Sequence, residues 1–201
     1  MKLLFCVLSR GAAHLFSDKH EVERIHTTMI WRAILHFPQS LLHRFLARHA
    51  DTSPTADFRL KSFMGRWYEQ ARLENPFEYG MDGVYSEYAL IAPGQISVSN
   101  HGIAPGGKHS LARGQAFMPD STVPGRLRVS FVPPYTWFSS PLHILYTDEG
   151  YREALVSGSG GHYLWLLTRE RHPGSDSISH LLSEARRRGF DTSSLRYTHQ
   201  P

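Results

Sequence analysis

From Gly65 onward the chain repeats one kind of unit, a short segment of alternating apolar and polar residues followed by a cluster of turn-forming residues. A period of two places successive side chains on opposite faces of a β-strand. Eight such segments precede a single stretch with helical spacing. Their near-regular spacing and tight connections predict an all-β domain, either an antiparallel sandwich or an up-and-down barrel.

The alternation also gives the bounds of the predicted elements. The strands cover residues 65–73, 84–91, 95–103, 110–118, 126–132, 143–147, 152–157 and 163–169. A helix is predicted over residues 178–188, with Asp176 as its cap and Gly189 at its end, and Leu195–Tyr197 forms a short last strand. Eight strands followed by one helix is the order of a barrel with a helix packed outside, and a barrel of eight strands is wide enough to hold one small ligand.

One face of the predicted strands mixes small, aliphatic and aromatic side chains with a few polar groups. The candidate lining residues are Ser86, Tyr88, Val98, Asn100, Val129, Phe131, Ile144, Tyr146, Tyr163 and Trp165. Small residues opposite aromatic ones leave space, and Ser86, Asn100 and Tyr146 are candidates for orienting a head group. The loops at residues 74–83 and 133–137 are expected to shape the mouth, and the aromatic side chains of Tyr135, Trp137 and Phe138 are candidates for touching a membrane. The same pattern also suits a filled core in which the tyrosine hydroxyls are hydrogen-bonded. The alternation of side chains does not decide between a cavity and a filled core.

Residues 1–56 have a different character, and we treat them as an N-terminal extension to a domain at residues 57–201. The apolar run after Lys2 is short for a signal peptide, and Cys6 comes too early for a lipoprotein cleavage site. Residues 29–50 are apolar at helical spacing but carry several Arg and His residues. They are interpreted as a leader or as a basic amphipathic helix at a membrane surface. Asp51–Asp57 is rich in turn formers and predicts a linker.

Charge and composition argue against several classes of function. Residues 61–201 carry 14 Lys and Arg against 13 Asp and Glu, so we expect no nucleic-acid partner. The single cysteine, Cys6, allows no intrachain disulfide and no zinc site built on cysteines. The histidines lack metal-binding spacing, so neither a metal nor a cofactor is predicted. Ser86, His143 and Asp148 follow no catalytic motif, and no catalytic residue is predicted.

Three motifs in order carry a resemblance to a known family. Gly65 and Trp67 begin the run GRWYEQARLENPFEYG, Thr147 and Asp148 lie at a later turn, and Arg169 ends the last long strand. Glu149 stands where the family often has a tyrosine. On these residues, 63–201 resemble the lipocalins, and most of all the bacterial subgroup, which is itself similar to vertebrate apolipoprotein D.

The resemblance implies a fold and a function. It implies an eight-stranded antiparallel calyx with one helix outside, in which Trp67 closes the blunt end and Arg169 packs across its indole. It implies binding of a small hydrophobic ligand, a fatty acid or a lysophospholipid, which the protein carries or stores at or near a bacterial membrane in the cell envelope. A few lipocalins are isomerases, one with a cysteine in its cavity, but Cys6 lies outside the predicted barrel, so we expect no enzyme. A filled barrel acting as a structural or interaction module is the alternative, and a monomer and a homodimer both stay open.

Overall fold

A computed structural model of the chain describes residues 50–201, in which the strands follow one another around a barrel in chain order. Their bounds are β1 Gly65–Leu73, β2 Asp82–Ala92, β3 Gln95–Ile103, β4 His109–Phe117, β5 Arg126–Ser130, β6 Ser140–Thr147, β7 Glu153–Gly158, β8 Tyr163–Thr168 and β9 Leu195–Tyr197. Consecutive strands from β1 to β8 pair antiparallel, and β8 returns to β1, so the barrel closes. β9 pairs with β1 outside this ring. The predicted closed barrel is therefore confirmed, and the sandwich is not.

Two α-helices and two short 3-10 helices complete the described part of the chain. Helix α1 covers Leu60–Phe63 and α2 covers Ser175–Arg187, and the 3-10 helices are Ser159–Gly161 and Thr192–Ser194. Within this part no helix has the length and the apolar character needed to cross a bilayer. The amphipathic segment predicted at residues 29–50 lies outside the described residues, apart from Ala50.

The predicted strand bounds lie within three residues of the observed ones, and both β6 and the helix begin three residues earlier than predicted. Strands β1, β3 and β9 have the predicted bounds, whereas α2 begins at Ser175 with Gly174, not Asp176, as its N-cap. Asp176 lies instead in the first turn, where a negative charge interacts favourably with the helix dipole. Gly189 ends the helix as predicted, in the left-handed region at φ +84°.

The segment predicted as a linker is hydrogen-bonded to the barrel. The backbone N–H of Thr55 donates to the carbonyl of Ile144 at 2.9 Å, and that of Asp51 donates to the carbonyl of Arg188 at 2.7 Å. The carbonyl of Thr52 lies 2.9 Å from Nδ1 of His143. Residues 51–55 thus lie along β6 and the end of α2.

Apolar side chains form two separate clusters, one inside the barrel and one under α2. The outer cluster joins Leu181 and Ala185 of the helix to outward-facing residues of β6, β7 and β8, and its buried members are Ala71, Leu145, Leu155, Leu164, Leu166, Leu181, Ala185, Phe190 and Leu195. The inner cluster contains Trp67 and lies inside the barrel, and Val129 and Trp165 pack against it. The wall is therefore apolar on both faces beside the helix.

Trp67 and Arg169 close that end of the barrel. The Trp67 indole is fully buried, stacks on Phe63 with ring centroids 5.0 Å apart, and donates from Nε1 to the Phe63 carbonyl at 2.8 Å. The Arg169 guanidinium lies 3.9 Å from the indole centroid. It donates to four backbone carbonyls, those of Ser62, Met64, Arg66 and Tyr151. The contact that the resemblance implied is therefore present.

The remaining motif residues also build this end. Gly65 has φ +97°, and a Cβ there would lie 3.2 Å from Nη1 of Arg169. The Asp148 carboxylate accepts hydrogen bonds from the backbone N–H groups of Gly150, Arg152 and Glu153 at 3.2, 2.6 and 2.7 Å. Both residues therefore stabilise backbone and belong to the scaffold.

Replacing Arg169 by lysine is expected to lower the free energy of unfolding by about 2–4 kcal/mol. Lysine keeps the charge but loses the planar group that covers the indole and the geometry that reaches several carbonyls. Urea unfolding of Arg169→Lys measures the change, and Arg152→Lys at an exposed position is the matched control. Equal stability of the two variants would contradict the structural role of Arg169.

Candidate functional site

The inner face of the barrel collects nine of the ten residues predicted to line a cavity. Trp67 pairs with Ser86, which pairs with Asn100, so these side chains share the inward face. By the same register the inward set includes Tyr88, Val98, Val129, Ile144, Tyr163 and Trp165. Phe131 follows β5, and a Cβ on the inward-facing Gly114 would lie 2.7 Å from its ring. These nine residues therefore share the inward face, as the alternation along the strands predicted.

Tyr146 is the exception, and its predicted place in the cavity is wrong. A bulge in β6 shifts the register, because Ile144 pairs with Val156 whereas Tyr146 pairs with Leu155. Leu155 belongs to the outer cluster, and Tyr146 packs against that cluster. Its ring meets the His180 imidazole of α2 edge-on at 5.3 Å. One extra residue moved the side chain to the opposite face.

The inner face changes from sealed to accessible along the barrel. Tyr88, Val98 and Ile144 are buried beside the Trp67 end, and the Tyr88 ring lies 5.1 Å from that of Phe63. Burial raises the pKa of the Tyr88 phenol to about 12. Toward the other end several inward side chains are half-buried or exposed, namely Ser86, Asn100, Ala112, Val129, Phe131, Tyr163 and Trp165, whereas Leu142 stays buried. The inner face is therefore packed beside Trp67 and more exposed at the opposite end, and we call this arrangement the cup.

Few polar groups interrupt the apolar lining. The Ser86 hydroxyl donates to Oδ1 of Asn100 at 2.9 Å, which satisfies both groups on the wall between β2 and β3. Upper β4 is accessible as well, because β4 pairs with β5 only over Gln115–Phe117. The wall between β2 and β3 thus offers apolar surface with one hydrogen-bonded polar pair.

A charged pair that sequence reasoning missed lies inside the barrel below the open end. Glu69 and Arg72 are 1% and 0% exposed, and Nη1 of Arg72 lies 2.5 Å from Oε1 of Glu69. Thr198 donates to the same carboxylate oxygen. Burial, helped by the negative charge of Glu78, raises the pKa of Glu69 to about 7 although Arg72 acts in the opposite direction.

The sequence alone predicts the inward orientation of only one member of this pair. Glu69 is two residues after Trp67 and shares its parity, so it points inward by the same rule. Arg72 has the other parity and reaches the interior only because β1 is irregular between Glu69 and Ala71. Alternation alone does not reveal such a bulge.

The loop between β1 and β2 is fixed at the open end, where a mouth loop was predicted. Nη2 of Arg72 donates to the carbonyls of Glu78 and Met81 at 2.5 and 3.3 Å. Asn75 caps the loop, since its Oδ1 accepts from the N–H groups of Phe77 and Glu78 at 3.0 Å each. The buried charged pair therefore holds the loop from below.

A groove of about 780 Å³ lies at the other end of the molecule, outside the barrel. It is lined by Thr55, Ala56, Asp57, Phe58, Arg59, Thr147, Asp148, Glu149 and Tyr151. The Trp67 seal separates it from the inner face. It is therefore distinct from the cup.

Glu69→Gln tests the raised pKa of the buried carboxyl. The folded-state pKa of Glu69, about 7, exceeds the ordinary value of 4.5. The protonated carboxyl therefore stabilises the folded protein below pH 4.5, and this contribution to the unfolding free energy is lost as the pH rises through 7. On lowering the pH from about 8 to about 5, the unfolding free energy of the unsubstituted protein should rise relative to the variant, by at most about 3 kcal/mol. Urea unfolding of both proteins across this pH range measures the difference between their unfolding free energies. The other carboxylates are common to both proteins, so their effects on stability cancel in this difference. A constant difference would show that Arg72 keeps Glu69 ionised.

Comparisons with known proteins agree with this architecture. A family model described as a lipocalin-like domain matches residues 58–200. The chain is 35% identical over 161 residues to the outer membrane lipoprotein Blc of Vibrio cholerae, covering 80% of this chain and 93% of that protein. It is 29% identical over 152 residues to apolipoprotein D of Mus musculus, covering 72% and 78%. Insecticyanin from the tobacco hornworm Manduca sexta has the same fold, with a TM-score of 0.60 at 20% identity over 74% of this chain and 84% of that one. The chain therefore belongs to the lipocalin family.

Proposed function

We propose that this lipocalin binds a single-chain lipid, a fatty acid or a lysophospholipid, with the acyl chain inside the barrel and the head group at the open end. Members of the family bind small hydrophobic ligands and are typically carriers rather than enzymes. The observation that supports the proposal is the graded inner face, apolar and sealed beside Trp67, and accessible and partly polar toward the mouth. An amphiphile with one tail has a matching gradient, from an apolar chain to a polar head group.

The energetics of burial suit such a ligand. Each methylene that leaves water contributes about 0.8 kcal/mol, so a twelve-carbon tail contributes about 9 kcal/mol before the costs of association. Micromolar binding requires about 8 kcal/mol. The tail therefore supplies most of the affinity, and the groups at the mouth set selectivity among ligands of equal length.

The setting we propose is the surface of a bacterial membrane in the cell envelope, where the protein carries or stores its lipid. Two relatives are named for lipids or membranes, the outer membrane lipoprotein Blc and apolipoprotein D. Large apolar side chains are exposed on two loops at the mouth, namely Phe77, Tyr79, Val132, Trp137 and Phe138. Tyr135, grouped with them by sequence, is half-buried. An apolar rim around the mouth would let a lipid pass between bilayer and barrel with little exposure to water.

A titration of the full chain with a lysophospholipid and with a long-chain fatty acid, followed by tryptophan emission, tests the proposal. We expect a saturable change at micromolar ligand. Trp165 lies on the inner face, so Trp165→Phe should remove most of the change while calorimetry still detects binding. Absence of binding by both methods would leave the filled barrel as the better account.

A pair of neighbouring substitutions locates the ligand. Asn100→Trp places a large ring on the inner face and should weaken binding at least about tenfold by occupying the space of the tail. Ser99→Trp places the same ring on the outer face of β3 and should leave affinity unchanged, since Ser99 pairs with the outward-facing Glu87. Thermal unfolding checks that both variants fold. Equal affinities of the two variants would place the ligand outside the barrel.

A further inference from the structure

We infer that the mouth selects lipids whose head group carries a positively charged nitrogen, and that Glu78 together with the rings of Phe77, Tyr163 and Trp165 recognises this group. The inference rests on the proposed function, since it assumes that the tail occupies the barrel. It distinguishes between the two proposed ligand classes, because a zwitterionic lysophospholipid carries an ammonium group and a fatty acid carries only a carboxylate.

The Glu78 carboxylate lies where the inner face meets the mouth. Trp165 is on the inner face of β8, and a Cβ on the inward-facing Gly158 would lie 3.5 Å from its ring. Nε1 of Trp165 donates to Oε2 of Glu78 at 2.9 Å. Nδ2 of Asn75 donates to the same oxygen at 2.8 Å. The side chain is therefore held at the entrance by two fixed donors.

The Glu78 carboxylate has no direct cationic partner in the described part of the chain, although the charge of Arg72 acts on it from the buried pair. Both donors to its carboxylate are neutral, and Arg72 binds its backbone carbonyl instead. Glu78 forms no ion pair with any cationic group of residues 50–201, and Oε1 has no hydrogen-bond partner there. A half-buried carboxylate in this state attracts a cation into the mouth.

Two cations close to Glu78 are already paired. Arg72 is fully buried and bound to Glu69, and these are the only charged side chains at the inward positions of β1 to β8. Arg196 pairs with Asp82 at 3.1 Å and with Glu74 at 3.8 Å. A fatty-acid carboxylate would therefore meet the charge of Glu78 with no unpaired cation at the inward positions of β1 to β8. The exposed Lys108, on the loop between β3 and β4, lies outside these positions.

Two further aromatic rings adjoin Trp165, whose indole binds the carboxylate, and complete the site. The Phe77 ring meets Tyr163 edge-on at 5.8 Å, and Tyr163 lies 5.9 Å from Trp165. Aromatic faces attract ammonium groups, and quaternary ammonium ligands are commonly bound among several such rings. Three rings beside an unpaired carboxylate suit a choline-type or ethanolamine-type group.

The experiment compares three probes with the same twelve-carbon tail, binding to the full chain and measured by calorimetry. They are dodecyltrimethylammonium, dodecanoate and monododecanoylglycerol, which are cationic, anionic and neutral. We expect the cation to bind about tenfold or more tightly than the anion, with the neutral probe between them. Glu78→Gln keeps an oxygen for Trp165 and Asn75 and should weaken the cation about tenfold while leaving the neutral probe within about twofold.

Two further variants make the result specific. Glu149→Gln removes the same charge at the opposite end of the barrel and should leave the ranking of the probes unchanged. Phe77→Leu, at a side chain that is 70% exposed, removes one ring without disturbing the core and should weaken the cation severalfold more than the neutral probe.

The outcomes distinguish lipid binding in the barrel from selectivity for a cationic head group. Failure of all three probes to bind would overturn the proposed function and this inference with it. Binding of the neutral probe without a preference for the cation would overturn the inference alone. Tighter binding of dodecanoate, or an equal effect of Glu78→Gln and Glu149→Gln on the cation, would also overturn it.

Discussion

The contact between Arg169 and Trp67 is the interaction on which the rest of the barrel depends. The guanidinium covers the indole at 3.9 Å and binds carbonyls from the end of α1, from β1 and from the turn before β7. Those carbonyls lie where strands and connections converge, and the guanidinium donates a hydrogen bond to each of them. Gly65 leaves room for the cation, because any Cβ there would lie 3.2 Å from it. A planar cation thus fastens the three segments that close one end.

A seal at one end determines how the other end is used. With Trp67, Phe63 and Tyr88 packed together, the proposed ligand would have access only from the opposite side. In that proposal the scaffold limits how deep a tail could reach, and the loop between β1 and β2 and the first residues of β8 would set chemical selectivity. Hydrophobic burial scales with tail length and discriminates poorly among head groups. In the proposed binding mode a single charge such as that of Glu78, held by Trp165 at the entrance, would therefore have a large influence on which lipid binds.

Sequence reasoning succeeded wherever the alternation of strands was unbroken. Ser86, Val98 and Trp165 lie on regular stretches, and their inward orientation follows from parity alone. It failed at bulges, since the irregularity in β6 turned Tyr146 outward and that in β1 brought Arg72 inward. A bulge is one added residue whose position depends on pairing with the neighbouring strand, and the alternation of a single strand does not contain that information. The charged pair and its hydrogen bonds to the predicted mouth loop therefore became visible only in three dimensions.

The last residues of the chain connect the scaffold to the mouth. β1 pairs with β2 over residues 65–68 and with β9 over residues 71–73, so the two barrel strands separate beyond Tyr68. Gln200 bridges this separation by donating from Nε2 to the carbonyls of Glu69 and Val84 at 2.7 and 2.9 Å. Thr198 binds the Glu69 carboxylate, which pairs with Arg72, and Arg72 holds the carbonyl of Glu78. Each contact in this series is buried or half-buried, so the position of Glu78 depends on residues more than a hundred positions away in sequence. We therefore expect substitutions in the C-terminal segment to move the loop that carries Glu78 and thereby to alter ligand selectivity.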